Sequence, residues 1–253
     1  MHCHTRAGSI DARLPIDEYI RLLKAKGFAG MLVTDHTSYK GYRCWHRNHA
    51  ADTADFVVLK GIEYDTRDAG HFIVIMPDDV HLKLLQLRGL SIRQLEKLVH
   101  RFGGILGPAH PFGPRSSSAM FGFTMRRHPE IIETFDFVEG FNTCERPHAN
   151  HFAQYIAKKY GKPCIGGSDS HKAEYVGSAY TAFSEPITCN NDLIMAIKEH
   201  RIAGYGGTER EYLKKHRKRH SFAATWGFKT YNRSLGFLIS PYRYYKYKKS
   251  ATY

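Results

Sequence analysis

The first 207 residues alternate between short apolar runs and amphipathic stretches, and this alternation restricts the fold more than any other feature. Apolar runs such as 71–76 are typical of buried strands. Residues 15–27 repeat apolar side chains at a helical period, and a capping box at Ser91 and Gln94 opens a second predicted helix. Strands that alternate with helices predict an α/β protein with a mostly parallel sheet, folded as one domain over 1–207.

Histidine and carboxylate side chains are concentrated at the ends of the predicted strands. The carboxyl ends of parallel strands meet on one face, where active sites form. Residues i and i+2 of a strand point the same way, so His2 pairs with His4 and Asp169 with His171. A pocket of imidazoles and carboxylates suits Zn, Mn or Fe. The polar residues at these positions are His2, His4, Asp35, His36, Glu63, His110, Asp169 and His171.

Each of these signals is weak when it is taken alone. The Asp35-His36 pair can close a helix-capping turn, Glu63 can lie at a sheet edge, and the glycines before Asp169 can mark a turn. Their joint occurrence, in order and at strand ends, favours a metal site over an accident of composition.

The same segments resemble, in order, the motifs of the polymerase and histidinol phosphatase (PHP) superfamily. The resemblance rests on "HCHT" at the start, Asp11, "TDH" (34–36), "GIE" (61–63), "AHP" (109–111) and "GSDSH" (167–171). The stretch from "GKPCIGGSDSH" through "VGSAYTAF" to "IAGYGG" also resembles the PHP-associated C-terminal segment of stand-alone members. The resemblance covers 1–207 and implies a distorted (β/α)7 barrel of PHP type, with two or three divalent metal ions acting on phosphate esters.

The resemblance also implies which residues hold the metals, with Glu63 as a bridge between two of them. The ligands would be His2, His4, Glu63 and Asp169 for the first metal, Glu63 and His110 for the second, and Asp11, His36 and His171 for the third. Members of the superfamily have several residues before the HxH pair, whereas this sequence begins at Met1. We therefore expect either a start further upstream or a shortened first strand, with His2 the ligand most exposed to fraying.

Three further residues are candidate ligands of the second metal. His71 is the best of them, and its alternative is a histidine that merely starts a strand. Asn142 and Cys144 lie where some members supply another ligand, although a buried thiol is the plainer interpretation of Cys144.

Such a site implies hydrolysis by a metal-bound hydroxide, because metals lower the pKa of bound water towards neutrality. His36, His71 or His171 could protonate the leaving group when free of metal. Guanidinium groups match phosphate oxygens, and Arg6, Arg43, Arg67 and Arg115 are candidates, with Arg115 first because it closely follows "HPF". Single arginines near loops are usually only solvated. Catalytic roles would fall to His36, Glu63, His110 and His171.

The predicted function is phosphomonoesterase activity on nucleotides or on small phosphorylated metabolites such as histidinol phosphate. Three alternatives stay open: a nuclease or phosphodiesterase on nucleic acid, a non-catalytic binding module with a vestigial site, and carbon–nitrogen hydrolysis, for which no lysine lies at a suitable strand end. The short spacing from His71 to His110 leaves little room for a capping insertion and predicts an open site with broad selectivity.

Positive charge is concentrated in a C-terminal extension, 208–253. Residues 210–253 hold twelve lysines and arginines against Glu211 alone, a net charge of +11 out of +13 for the whole chain. A capping box at Thr208 and Glu211 predicts a helix, and aromatic residues mixed with cations follow it. This composition suits single-stranded nucleic acid, an anionic membrane surface, or a tail that only aids solubility.

Composition also indicates the compartment. No apolar run reaches the roughly 18 residues that a transmembrane helix needs, and the N-terminus lacks the pattern of a signal peptide. The five cysteines are scattered and never spaced as CxxC, which argues against a disulfide framework. We therefore expect a cytoplasmic protein.

Overall fold

The computed structural model describes residues 1–49, 55–113 and 117–210. Arg115 and residues 211–253, which include most of the predicted C-terminal helix, lie outside the described residues. The elements, in chain order, are α1 (Ile16–Lys24), β1 (Gly30–Val33), α2 (Lys40–His49), β2 (Val57–Thr66), β3 (Gly70–Ile75), α3 (Ile92–Arg101), β4 (Ile105–Pro108), α4 (Phe123–Arg127), β5 (Val138–Asn142), α5 (Pro147–Lys159), β6 (Cys164–Gly167), β7 (Ala179–Phe183), α6 (Asn190–Lys198) and β8 (Ile202–Gly207).

The strands form three sheets in the described part of the chain. The largest has the order β1-β2-β3-β4, in which β1 and β2 are parallel while the other two pairs are antiparallel. Strands β5 and β6 form a parallel pair, and β7 and β8 an antiparallel one. The α/β class is confirmed, but the prediction of a mostly parallel sheet is wrong. Residues 67–69 are too short a connection for the crossover that a parallel β2–β3 pair would need.

The N-terminal residues lie between two of these sheets. Cys3 forms a parallel bridge with Ser170, and the Thr34 N–H donates to the Cys3 carbonyl at 3.0 Å. Residues 1–5 therefore connect the segment after β1 to the segment after β6. His2, which we expected to fray, is only 1% exposed.

The described strands do not join into one closed barrel. Between β4 and β5, Leu106 donates its N–H to the Asp136 side chain at 2.9 Å, where a continuous ladder would use a backbone carbonyl. The mixed sheet and helix architecture is therefore established, whereas barrel closure is absent among residues 1–49, 55–113 and 117–210.

Strand β3 lies at the centre of the core and is covered on both faces. Phe72 and Val74 pack in one apolar cluster with α3, and Ile73 and Ile75 pack in another with α6. All four side chains are fully buried. Burial of this kind stabilises the fold by about 1.5–3 kcal/mol per large aliphatic or aromatic side chain. The sheet is thereby a rigid support for the loops at its strand ends.

Helix α3 begins with the predicted capping box. The Ser91 side chain accepts from the Gln94 backbone N–H, and the Gln94 side chain accepts from the Ser91 N–H at 2.9 Å.

Among the described residues, every helix is too short or too polar to span a lipid bilayer.

Candidate metal centre

Imidazole rings from separate segments surround the carboxylate of Glu63, near the middle of β2. Its Oε1 atom lies 2.9 Å from His110 Nε2, 3.0 Å from His71 Nδ1 and 3.4 Å from His2 Nε2. Glu63 and His110 are 1% and 3% exposed. In the hairpin of β2 and β3, His71 pairs with Asp65. Asp65 lies two residues beyond Glu63 on the same face of β2, so this pairing brings His71 to the site. All three histidines were predicted as site residues.

The other carboxylate oxygen, Glu63 Oε2, faces two more rings. His36 Nδ1 lies 2.7 Å away and His4 Nε2 3.5 Å away. Despite the short distance to His36, Glu63 Oε2 has no partner in hydrogen-bond geometry and is buried. A hydrogen bond requires an N–H directed at the acceptor, and the short distance to His36 does not by itself supply one. A buried carboxylate oxygen that lacks a directed donor is costly unless a cation satisfies it.

His2, His4 and Asp169 form a compact group of ligand atoms. Their metal-binding atoms all lie within 4.8 Å of one another. His4 Nε2 is 3.1 Å from Asp169 Oδ1, and the Nε2 atoms of His2 and His4 are 3.2 Å apart. Two ring nitrogens that face each other can share only one proton, so lone pairs converge here. The donor set therefore fits a divalent cation such as Zn, Mn or Fe.

Two more groups share His36. One consists of His4, His36 and His171, and the other of His36, Glu63 and His71. Asp11 Oδ2 lies 3.5 Å from His36 Nε2 and 3.4 Å from His171 Nε2. The Asp11 side chain is 53% exposed, whereas those of His36 and His171 are 22% and 26% exposed. The site is thus buried at His2 and open to solvent at Asp11.

Charges inside this pocket shift the ionisation of its members. Burial raises the pKa of Glu63, but His71, His36 and His2 outweigh it and hold that pKa well below its usual range. Burial and the neighbouring His36 lower the pKa of His4 to about 3. Burial also lowers the pKa of His36, but Glu63 and Asp11 outweigh it and raise that pKa to about 10.

Asp169 and His2 are coupled in the same way. Burial raises the pKa of Asp169, but His2 and His4 outweigh it and hold that pKa well below its usual range. Burial lowers the pKa of His2, but Glu139, Asp169 and Glu63 outweigh it and raise that pKa well above its usual range. Protons on histidines can therefore balance the carboxylates, and bound cations would take over that role.

Strained backbone occurs in three segments of the site. Thr37, His110 and Asp169 have φ angles of 47°, 31° and 44°, in the left-handed region that non-glycine residues rarely adopt. Each such residue costs on the order of 1–3 kcal/mol, and such strain persists where the surroundings over-determine it. Its concentration beside the converging ligand atoms is typical of a functional site.

Asp35 supports the site without facing it. It is fully buried, and its carboxylate accepts from the Thr5 N–H at 2.6 Å, the Thr5 hydroxyl at 2.8 Å and the Ser9 hydroxyl at 2.9 Å. Ser9 Oγ in turn lies 3.2 Å from His4 Nδ1. Asp35 therefore holds the loop after His4 and orients that ring with Nε2 towards Asp169.

Sequence reasoning missed one residue of the site, Glu139 of β5. Its fully buried carboxylate contacts His2 and the backbone of His110. A glutamate inside the apolar stretch "FDFVEGF" is the signal that could have pointed to it, because a charged residue is rarely buried in a strand without a partner.

The remaining candidates are less closely connected to the site. Asn142 is occupied by its neighbours: its Nδ2 donates to Glu139 at 3.0 Å and its Oδ1 accepts from the Cys144 N–H at 2.8 Å. Burial raises the pKa of the Cys144 thiol, which disfavours the thiolate that binds metals. Arg6 and Arg67 have exposed side chains, Arg43 is half-buried, and Arg115 lies outside the described residues.

Comparisons with known proteins agree with this geometry. A family model described as PHP-associated matches residues 147–202. The DNA polymerase III PolC-type protein of Lacticaseibacillus paracasei is 32% identical over 79 residues, which are 31% of this chain. The chain spans only 5% of the length of that relative.

Two solved structures share the fold. A protein from Bifidobacterium adolescentis assigned as a metal-dependent phosphoesterase is 15% identical with a TM-score of 0.55, over 78% of this chain and 94% of its own. Endonuclease Q, solved with a duplex that carries an abasic lesion, is 14% identical with a TM-score of 0.60, over 83% of this chain and 59% of its own. With the ordered motifs from "HCHT" to "GSDSH" gathered around Glu63, the family model and the PolC-type relative support assignment of the chain to the PHP superfamily.

Proposed function

We propose that this protein is a metal-dependent hydrolase of phosphate esters that acts on phosphomonoesters of nucleotides or of small metabolites. The observation that carries the proposal is the surrounding of Glu63, where five imidazole rings approach one buried carboxylate within 3.5 Å. This number of donors exceeds what hydrogen bonding of a single carboxylate requires. It fits two or three divalent ions held by nitrogen and oxygen ligands.

The proposed assignment keeps the ligand sets that the resemblance implies and adds His71 to the second metal, because His71 Nδ1 lies 3.0 Å from Glu63 Oε1. The first metal would be held by His2, His4, Glu63 and Asp169, the second by Glu63, His71 and His110, and the third by Asp11, His36 and His171. When bound, such ions lower the pKa of water and offset the charge on phosphate oxygens.

The residues of the open side would bind and orient the substrate. Asp11 is the most exposed of them, so a phosphate group can approach between it and the half-buried rings. When only the first two ions are bound, His36 or His171 can donate a proton to the leaving oxygen. Asp35 keeps its role as an anchor of the loop that carries Asp11.

Aromatic side chains near His110 support a substrate with a flat ring. Phe112 follows His110 in a turn that the Gly113 N–H closes on the His110 carbonyl at 2.9 Å. The Phe112 ring lies 6.3 Å from that of Phe121 and 5.7 Å from that of Phe152, which are 55% and 52% exposed. Exposed rings of this kind stack on nucleobases.

We also propose that the strands form an open version of the distorted (β/α)7 barrel, with 1–207 as one domain and 208–253 as an extension. The contact of Cys3 with Ser170 and the hydrogen bond from Asp136 N to the Leu106 carbonyl support this interpretation, because they connect neighbouring sheets.

Metal analysis of the purified chain tests the function directly. We expect two or three equivalents of Zn, Mn or Fe per chain, and hydrolysis of an aryl phosphate that a chelator abolishes and Mn²⁺ restores. Less than half an equivalent of metal, with no hydrolysis after Mn²⁺ is added, would disprove the proposal.

A nuclease is the second candidate, favoured by the position of Arg210. This residue begins the basic stretch, and its Nη2 donates to the carbonyls of Ser168 at 3.0 Å and Asp169 at 3.4 Å. Its guanidinium also lies 3.5 Å from the ring centre of Tyr175. The chain therefore enters its basic segment beside a proposed metal ligand, where a polyanionic substrate would gain from positive charge.

A further inference from the structure

Glu139 connects two segments of the metal centre without belonging to any group of converging ligand atoms in the described residues. Its Oε1 atom lies 2.9 Å from His2 Nδ1. Its Oε2 atom accepts from the His110 backbone N–H at 2.6 Å and from Asn142 Nδ2 at 3.0 Å. The carboxylate is fully buried, so these contacts account for both of its oxygens.

The contact with His2 sets the orientation of that ring. An ionised carboxylate only accepts, so His2 Nδ1 carries the hydrogen that it shares with Glu139. In the neutral ring, Nε2 then presents its lone pair, and Nε2 is the atom that faces Glu63, His4 and Asp169. A carboxylate behind a ligating imidazole fixes its tautomer and raises its basicity.

The contact with His110 acts on the backbone. His110 has a φ angle of 31°, which a β-substituted residue adopts only when its surroundings hold it there. The 2.6 Å hydrogen bond to Glu139 satisfies its N–H in that conformation. Asn142, at the end of the same strand, donates to the carboxylate and keeps it in place.

Gly167 makes room for this arrangement. A Cβ atom at position 167 would lie 2.0 Å from Glu139 Oε1 and 2.5 Å from His2 Cβ, so any larger residue would displace the pair. The second glycine before "SDSH" is therefore explained by close approach to Glu139 rather than by a turn.

We propose that Glu139 is a positioning residue of the metal centre, which orients His2 and holds the His110 backbone so that their ring nitrogens meet at Glu63. The inference rests on the proposed metal site. It adds a residue that binds no metal and touches no substrate, and that determines how tightly the metals are held.

The test is titration of the metal-free, full-length chain with Mn²⁺. Glu139→Gln leaves one acceptor oxygen, so it can serve His2 or His110 but not both. We expect at least one Mn²⁺ to bind about 10–100-fold more weakly than in the wild type. Excess Mn²⁺ should restore hydrolysis, because no catalytic group is removed.

Asp136→Asn is the matched control. Asp136 precedes β5, and its Oδ2 accepts from the Leu106 N–H and pairs with His100 Nε2, both at 2.9 Å. It thus repeats the contacts of Glu139, an imidazole and a backbone N–H, at the end of the strand away from the site. We expect this variant to lose stability and to keep its Mn²⁺ affinity.

Gly167→Ala is the second variant, in which Glu139 is intact but displaced, and it should also bind Mn²⁺ more weakly. Unchanged Mn²⁺ affinity in both site variants would overturn the role of Glu139, as would an equal loss in Asp136→Asn. A wild-type chain that binds no Mn²⁺ would overturn the proposed function as well, so the two failures are distinguishable.

Discussion

The Nε2 atoms of His2 and His4 face each other at 3.2 Å, in a pocket where neither residue is more than 1% exposed. Two nitrogens at this distance can be satisfied by one shared proton or by a cation between their lone pairs. Protons and metal ions therefore compete for the same atoms, which makes metal binding depend on pH.

Mn²⁺ affinity should rise with pH. The pKa values of His2 and His36 are raised in the metal-free site, to about 10 for His36, so at pH 6 these rings hold protons that a metal must displace. Each displaced proton makes the dissociation constant fall about tenfold per pH unit below the pKa concerned. Titrations at pH 6, 7 and 8 would measure this, and an affinity independent of pH would contradict it.

Glu63→Gln should lose metal at two positions, whereas His171→Ala should lose only one. Glu63 contacts members of two ligand groups through its two oxygens, but His171 belongs to a single group with His4 and His36. Elemental analysis of each variant gives the number of ions per chain. Glu133→Gln, which changes an exposed carboxylate in the segment before β5, is the control. Full metal content and hydrolysis in both site variants would show that the assignment is wrong.

Phe152→Ala should raise the KM for a nucleoside monophosphate and leave that for glycerol phosphate unchanged. A lost stacking contact costs about 1–3 kcal/mol of binding, whereas an aliphatic ester has no ring to stack. Tyr155→Ala is a suitable control because Tyr155 lies on the same helix and is 60% exposed. Equal effects on both substrates would argue that Phe152 supports the fold and not the substrate.

The His100–Asp136 pair should stabilise the protein more at pH 6 than at pH 9. The hydrogen bond to Asp136 raises the pKa of His100, with burial opposing it. A raised pKa in the folded state gives stability that is complete below the unfolded value of about 6.5 and is lost as pH rises through the folded value. Because the His100 side chain is 34% exposed, we expect less than about 1 kcal/mol.

Urea unfolding of wild type and His100→Gln at both pH values checks this prediction. The difference in free energy of unfolding should shrink from pH 6 to pH 9. A difference that grows with pH would have the wrong sign and would contradict the assignment.

Deletion of 211–253 should abolish binding to single-stranded nucleic acid and preserve hydrolysis of a small phosphate ester. These residues carry most of the net positive charge, and phosphate contacts made by lysine and arginine weaken steeply as salt rises. Binding is measured at several salt concentrations, with vesicles of anionic and of neutral lipid as alternatives. Binding to anionic vesicles alone would favour a membrane partner, and no binding at low salt would leave the tail a role in solubility.

Local patterns in the sequence predict individual elements of this fold well. Helix α1 follows from its helical period, and α3 from the capping box at Ser91 and Gln94. Strand β7 was not predicted, because its residues include the exposed Tyr180 and lack a long apolar run. The antiparallel pairing of β2 with β3 results from the short connection of residues 67–69, which the alternation of strands and helices does not reveal.

The residues of the candidate site likewise divide into those that local motifs reveal and those that only tertiary contacts bring in. His2, Glu63 and His171 are recognisable from motifs, although Glu63 lies inside β2 and not at the strand end that the sequence predicts. His71 could only be a candidate, since its place beside Glu63 results from the register of β2 against β3. Glu139 was missed because nothing in the sequence near it shows that His2 and His110 converge on its carboxylate. Whether each ligand binds metal stays a prediction.

The pairing of the first residues with the end of β6 has a consequence for folding. The Asp169 N–H donates to the His2 carbonyl at 2.9 Å, so the proposed first metal draws its ligands from segments that lie far apart in the sequence. Contacts so distant in sequence form slowly, because a large loop must close before they contribute. During synthesis the site would stay incomplete until residue 171 had left the ribosome. A bound ion would then join two segments that are synthesised far apart in time, so metal could bind only after both segments had been made.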